Sequence, residues 1–349
     1  MGAIATSDAR AEFTKMLIEV YRERNTPTSF GRSYFPSKVS STKYVSIEVQ
    51  RGTEKVAVDV TRGVEGNRNK FATSSEKIFE PPYYREYFDC TEIDLYDRMW
   101  GTTEIDAGIY SQFLDETAER LMMIQYKIDR AYELQCWQVL EDGIVQLTAD
   151  ANIDFKRKAG SLVDVSGSNP WSTATNDPFT DLADAAAFLR KTGKAQGNVF
   201  DAILGAEAMS NLLQNTVFID RGNLRRVEHV EISAPQANSV GGVLHGQITA
   251  GSYRFNLWTY PQYYDLSGTS TPYFDDKKVI VLPQNPRFTL AFAAVPQLID
   301  PNNPMIERGE YIVSEYMDQR LSKHEIHIKS AGIAIPVAVD QMYTVQVIA

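Results

Sequence analysis

Apolar residues near the start of the chain recur at helical spacing. Phe13, Met16, Leu17, Val20 and Tyr21 predict a helix over residues 8–24, with Ser7 placed to cap it. Residues 25–43 carry Pro27, Pro36 and many Ser and Thr, and read as an extended arm without a core of its own. From Tyr44 the period changes to two. Val45, Ile47 and Val49 alternate with polar positions, and after Arg51-Gly52 a second strand places Val56, Val58 and Val60 on one face. The tip at residues 62–70 holds Arg62, Arg68 and Lys70 among glycines and asparagines, and a third strand returns through Ile78 to Pro81-Pro82. Nothing nearby in sequence covers that valine face. A lone two- or three-stranded ribbon is marginal and invites edge pairing, so another subunit is the economical cover. The alternative is an ordinary core hairpin.

Between Gly108 and Asp142 no proline or glycine interrupts a helical pattern, and Leu114, Ala118, Leu121, Ile128, Tyr132 and Val139 trace one stripe. Such a helix is about 50 Å long and must lie along more than one neighbour. A hairpin follows, through Ile144, Val145, Leu147, Ile153 and Phe155. Residues 160–176 read as a linker. Asp177-Pro178 opens a helix that runs to Thr192, with Asp177 as N-cap and Pro178 in the first turn. A strand over 199–204 and a helix over 205–214, lined by Ala208, Met209, Leu212 and Leu213, complete an α-β-α unit. Strands are expected near 227–232, 243–249, 253–260, 278–282, 288–294, 311–316, 323–329 and 343–348. The pattern is α+β, without regular βαβ alternation or solenoid repeats.

Composition removes several classes of function. Of 349 residues 43% are hydrophobic and 23% charged, which excludes a disordered chain. Two cysteines and four histidines exclude a disulfide framework and a Cys/His-rich metal site. The net charge of −10 argues against DNA or an anionic membrane as the main surface partner. The most apolar stretches, 288–299 and 331–339, contain proline and fall short of the ~20 residues a membrane span needs. With no export signal at the N-terminus, the chain reads as soluble and made in a reducing cytoplasm.

Candidate chemistry is sparse. His324 and His327 are one residue too close for the helical zinc-protease motif, and the alternation of Ile326 and Ile328 puts them on opposite faces of a strand. His229 and His245 stand alone in polar contexts, and Cys90 and Cys136 lack a redox or catalytic partner. The Ser-x-x-Lys patterns at Ser40 and Ser74 lack their companion motifs, and residues 63–66 are too short for a phosphate loop. Asp115 and Glu116 belong to the solvated side of the long helix. No catalytic, cofactor-binding or metal-binding residues are therefore assigned. A chain with a long lone helix, an uncovered hairpin and extended arms is built for contacts between copies of itself. The candidate contacts are Val56, Val58, Val60, Arg62, Arg68, Lys70, Phe71, Arg225 and Arg226.

The order of these elements resembles the major capsid proteins of tailed bacteriophages, and more narrowly the lambda-type major head protein (capsid protein E) family. Arg32-Ser33-Tyr34-Phe35-Pro36 leading into Thr42-Lys43-Tyr44-Val45 carries the likeness, with Phe79-Glu80-Pro81-Pro82-Tyr83 closing the hairpin. Residues 150–158, Trp171-Ser172 before Asp177-Pro178, and the final strand over 340–347 also fit. The resemblance implies an HK97-like fold in five parts. These are an N-terminal helix and arm (1–43), an extended loop (44–82), and a peripheral domain (83–176) with its spine helix at 108–142. An axial domain (177–294) and return strands of the peripheral domain (295–349) follow. It further implies self-assembly through pentamers and hexamers into an icosahedral virion shell, formed in the host bacterial cytoplasm. The partners implied are a scaffolding protein, a portal protein, a decoration protein in some relatives, and packaged double-stranded DNA held without sequence-specific contact. A separate scaffolding protein is expected because the long helical extension of some relatives does not precede the first helix. No cofactor and no membrane are implied, and an acidic inner wall would hold DNA without gripping it. An encapsulin-like compartment on the same fold and a soluble enzyme are the competing readings.

Overall fold

The uninterrupted helical pattern folds as one 34-residue helix, α1 (Gly108–Glu141). A computed structural model describes residues 26–49, 75–90, 108–147, 152–222, 230–266, 268–300, 303–318 and 323–349. The expected apolar stripe of α1 holds in its later turns, where Ile128, Tyr132, Cys136, Trp137, Val139 and Leu140 are all buried. Earlier in the helix Ala118, Met122 and Met123 are exposed and Leu121 is only half-buried, because strands gather around the C-terminal half. Gly143, at φ +74°, ends the helix in the left-handed conformation that glycine adopts without strain. Arg157 then reaches back over the helix end and donates to the carbonyls of Leu140 and Glu141 at 3.1 and 2.9 Å. A cation is favoured there by the exposed carbonyl dipoles. Burial pushes its pKa down to about 10, so it remains charged at neutral pH.

Four described strands precede α1: β1 (Ser37–Val39), β2 (Val45–Val49), β3 (Ser75–Phe79) and β4 (Tyr84–Cys90). β2 and β3 pair antiparallel, with Val45 opposite Phe79. After α1 come the short pair β5 (Ile144–Val145) and β6 (Ile153–Asp154), then β7 (Leu162–Asp164). α2 (Pro178–Lys191) starts where expected, and the Asp177 carboxylate accepts from the Phe179 amide at 3.0 Å. Removing that cap, Asp177→Ala, is expected to cost about 1 kcal/mol in urea unfolding of the unassembled subunit. β8 (Val199–Leu204), α3 (Ala206–Gln214) and α4 (Thr216–Gly222) follow. Sequence patterning overlooks α4 because a helix of about two turns leaves no repeating stripe. Leu213, expected to line α3, is exposed instead.

The remaining strands are β9 (Val230–Ala237), β10 (Val243–Ala250), β11 (Tyr253–Thr259), β12 (Tyr263–Leu266), β13 (Thr269–Pro272) and β14 (Lys278–Pro283). They continue with β15 (Thr289–Phe292), β16 (Val295–Asp300), β17 (Asn303–Glu307), β18 (Ile312–Asp318), β19 (Lys323–Ser330), β20 (Gly332–Ile335) and β21 (Tyr343–Gln346). A mixed seven-stranded sheet has the order β7-β21-β14-β8-β11-β10-β9. Its strand alternation divides two cores. Phe200, Ala202 and Leu204 of β8 pack with Phe179, Leu182 and Leu189 of α2, while Ile203 faces the core built around α1. β1, β15 and β20 form a second sheet against α1, and β18, β19 and β4 a third.

Two expectations change. Residues 160–176 are more than a linker, because β7 within them joins the large sheet beside β21. The final strand β21 also runs in that sheet, between β14 and β7, rather than returning to the α1 unit. Conversely β15, from the expected axial segment, pairs with β1 and β20. Hydrogen-bonded strands thus cross both expected boundaries, at 176 and 294.

Candidate assembly surfaces

The nine residues proposed from the sequence as inter-subunit contacts, Val56, Val58, Val60, Arg62, Arg68, Lys70, Phe71, Arg225 and Arg226, all lie outside the described residues. What the structure describes is the root of the 44–82 segment that holds the first seven of them. Val45 is buried at that root, and across from it Phe79 packs on Phe155 with ring centroids 5.3 Å apart. Pro81 and Pro82 are buried just beyond, and Lys43 pairs with Glu80 at 2.6 Å on the surface. The opposite face of the ribbon is uncovered, and Ile78 is 65% exposed. One face of the root is therefore tied into the subunit and the other is free.

The arm before the loop has no core of its own, yet it is pinned into the core around α1. Phe30 is buried among Tyr34, Trp137, Trp258 and Tyr260, with centroid distances of 5.3 to 6.2 Å. Phe35 stacks on Phe288 at 5.0 Å. Between them, the amides of Gly31 and Arg32 donate to the two carboxylate oxygens of Glu133 at 2.7 and 2.9 Å. The indole N–H of Trp137 gives Glu133 a third donor at 2.9 Å. Burial holds the Glu133 carboxyl above its ordinary value, and these three donors, with the Tyr260 hydroxyl, offset only part of that by stabilising the anion. The Arg32 side chain turns outward to Asp129 at 3.0 Å and Glu310 at 2.7 Å. Burial lowers its pKa, but Tyr311, Glu310 and Asp129 outweigh that and hold it above the ordinary value. Gly242, in the turn between β9 and β10, lies so close to the Phe30 ring that a Cβ would stand 2.6 Å from it. The arm thus joins the spine-like helix, the large sheet and the segment before β18.

Sequence reasoning missed this anchor. Phe30 and Phe35 sit in a proline- and serine-rich stretch without period. The available signal was Glu133, a lone acid within the apolar run from Tyr132 to Trp137.

The groups considered for chemistry do not converge. His327 on β19 lies opposite Tyr87 and Ser314, and the side chain of His324 lies outside the described residues. His245 shares a hydrogen bond of 2.8 Å with Thr259, and burial lowers its pKa. Cys136 is a buried thiol pushed up by burial. His229 and Ser74 lie outside the described residues, as do the side chains of Cys90, Asp115 and Glu116. Ser40 is half-buried and bonds Thr42 at 3.1 Å. A cleft of 490 Å³ at the end of α1 is lined by Glu141, Asp142, Glu207, Asp275, Asp276 and Lys277, with no nucleophile beside a base. Lys278 neutralises part of it, at 2.5 Å from Glu141 and 3.6 Å from Asp142. Among the described residues no group of three or more His, Cys, Asp and Glu side chains could hold a metal ion. No described helix is long and apolar enough to cross a membrane.

What the surface offers instead is apolar side chains on thin projections. Leu266 and Tyr263 stand out on the β12–β13 hairpin, Ile306 on the β16–β17 hairpin, and Met123 on the early turns of α1. The family model of phage major capsid protein E matches residues 14–347, nearly the whole chain. The chain belongs to the phage major capsid protein E family. It is a major capsid protein, a structural component of the phage head. Solved structures agree on the fold. A protein assigned as the capsid protein of a prophage of E. coli CFT073 superposes with a TM-score of 0.59 at 16% identity, over 93% of this chain and 94% of that one. A phage-related protein from Bordetella bronchiseptica RB50 gives 0.55 at 14% identity, over 94% and 93%. The capsid of cyanophage P-SCSP1u gives 0.51 at 9% identity, over 93% and 89%. The fold is the α+β, HK97-like phage capsid fold. No curated protein sequence matches the chain. The family match favours the phage head over the encapsulin-like alternative.

Proposed function

We propose that copies of this major capsid protein close into an icosahedral shell around packaged double-stranded DNA, and that the ribbon at residues 44–82 reaches over a neighbouring subunit. The observation that carries this reading is the root of the ribbon, with Val45 buried, Phe79 packed on Phe155, and Ile78 open on the other face. Val56, Val58 and Val60 would then bury against the neighbour, with Phe71 beside them, while Arg62, Arg68 and Lys70 meet its carboxylates. Arg225 and Arg226 would make a second contact, from the segment between α4 and β9. Each exposed ion pair is worth only about 0–1 kcal/mol, so charge sets orientation and register more than affinity. Many weak contacts still close a stable shell through multivalency.

In this reading residues 177–294 face the capsomer centre and α1 spans the peripheral part, with β7 and β21 tying the two together. The protein acts without catalysis. Assembly takes place in the host bacterial cytoplasm, guided by a scaffolding protein and a portal protein, with a decoration protein added where the phage encodes one. Expressed alone and with a scaffolding protein from the same phage, the chain is expected to give closed shells in negative-stain microscopy. A small discrete oligomer under both conditions would overturn the proposal.

A further inference from the structure

The three-stranded sheet β18-β19-β4 has one face turned to α1, where Ile326 and Ile328 are buried. Its other face, apart from the buried Ile312 opposite Lys329, carries polar and charged side chains. β4 contributes Arg85, Tyr87 and Asp89, β19 contributes Lys323, Glu325, His327 and Lys329, and β18 contributes Ser314 and Tyr316. At the centre is His327, only 2% exposed, stacked on the Tyr87 ring at 4.9 Å and met edge-on by Tyr316 at 4.9 Å. Lys329 donates to the Tyr316 hydroxyl at 2.7 Å, and Lys323 pairs with Asp89 at 2.5 Å. Tyr83, just before β4, lies near Arg85 and Tyr316.

Both ring nitrogens of His327 are assigned by their partners. Nδ1 stands 3.3 Å from Nε of Arg85, a group that only donates, so Nδ1 must accept and carries no proton. Nε2 stands 3.1 Å from the carboxylate of Glu325, which only accepts, so Nε2 carries the proton. We propose that His327 is a proton-operated switch, in which protonation of Nδ1 sets it against the Arg85 N–H and releases the Arg85 side chain from the sheet into solvent. Two donors cannot share that contact. Arg85 is already exposed and has room to leave, while the buried imidazolium keeps Glu325.

The electrostatics agree with this geometry. Burial lowers the pKa of His327, Glu325 works against that, and Arg85 and Lys329 lower it further. For a base depressed in the folded state, the unfolded chain takes the proton first. The stabilisation is complete above the ordinary histidine value near 6.5 and is lost as pH falls from there through the folded value. β4 follows β3 directly across residues 80–83, so the released cation appears at the root of the 44–82 ribbon. That placement beside an inter-subunit arm rests on the function proposed above. The switch itself does not.

Histidine hydrogen–deuterium exchange read by mass spectrometry reports the midpoint of each imidazole in the full chain, assembled or not. His327 is expected to titrate below the ordinary value, and Arg85→Met is expected to move its midpoint upward. Once the intrinsic slowing of amide exchange in acid is divided out, backbone amides of β4 should exchange faster in acid, by about tenfold for each unit of depression. His327→Gln keeps an acceptor for Arg85 and a donor for Glu325 but cannot titrate, so it should remove that acid acceleration. A midpoint at the ordinary value that Arg85→Met leaves unmoved would overturn the switch. So would an acid acceleration in β4 that survives His327→Gln. Shell formation is not read in any of these measurements, so a failure of the assembly proposal would leave them interpretable.

Discussion

Glu133→Ala is expected to destabilise the subunit by about 3–5 kcal/mol, measured by urea or thermal unfolding before assembly. The substitution removes the common acceptor of the Gly31 amide, the Arg32 amide and the Trp137 indole. A buried donor left without a partner costs about 1–3 kcal/mol, and a small cavity beside Trp137 adds to that. The Arg32 guanidinium is not orphaned, because Asp129 and Glu310 still hold it, which limits the loss. Glu133→Gln separates two accounts of the same site. If the carboxylate is charged at neutral pH, the new amide turns N–H groups toward existing donors and destabilises clearly. If burial keeps Glu133 protonated, glutamine is nearly silent. The three N–H donors favour the charged account, while the Tyr260 hydroxyl beside the carboxyl can donate or accept and fits either. An alanine variant within about 1 kcal/mol of the parent would remove Glu133 from the role of arm anchor.

Removal of residues 61–69 is expected to leave a folded subunit that no longer makes shells. The described core does not draw on that segment, and the root remains held by Val45 and by Phe79 against Phe155. A shorter connection between β2 and β3 does not raise the entropy cost of closing the loop. Assembly responds differently. Every copy carries the same deletion, so every interface is weakened at once and the avidity of a closed shell multiplies the defect. Circular dichroism and thermal unfolding should match the parent, while sedimentation and microscopy should show only small species. Shells of unchanged size and yield would sink the arm proposal.

Much of the architecture was legible because it is written in short-range periodicity. The uninterrupted pattern from Gly108 marks α1 to within a residue of its end at Glu141. Asp177-Pro178 marks the start of α2, and the apolar run at residues 199–204 marks β8. β7, β12, β13 and β17 escaped because strands of three to five residues, rich in Gly, Pro, Ser and Thr or next to such stretches, do not build up a signal. The arm anchor escaped for another reason. Phe30 and Phe35 are buried by aromatic residues more than a hundred positions away, among them Tyr260 and Phe288. His327 read as half of a failed metal motif, and its strand assignment was right. Its role came from Arg85, 242 residues earlier in the chain.

The sequence by itself determined the long helix α1, the start of α2, the strand β8 and the capsid family. Those properties depend on residues within a few turns of one another, or on the order of elements along the chain. Only the tertiary structure decided that β21 and β7 enter the large sheet, that the arm is pinned by Glu133, and that His327 has both nitrogens committed. Strand partners and buried hydrogen bonds are contacts between distant segments. Backbone donors pair with any strand of suitable length, so local pattern names the strand and long-range packing chooses its neighbour.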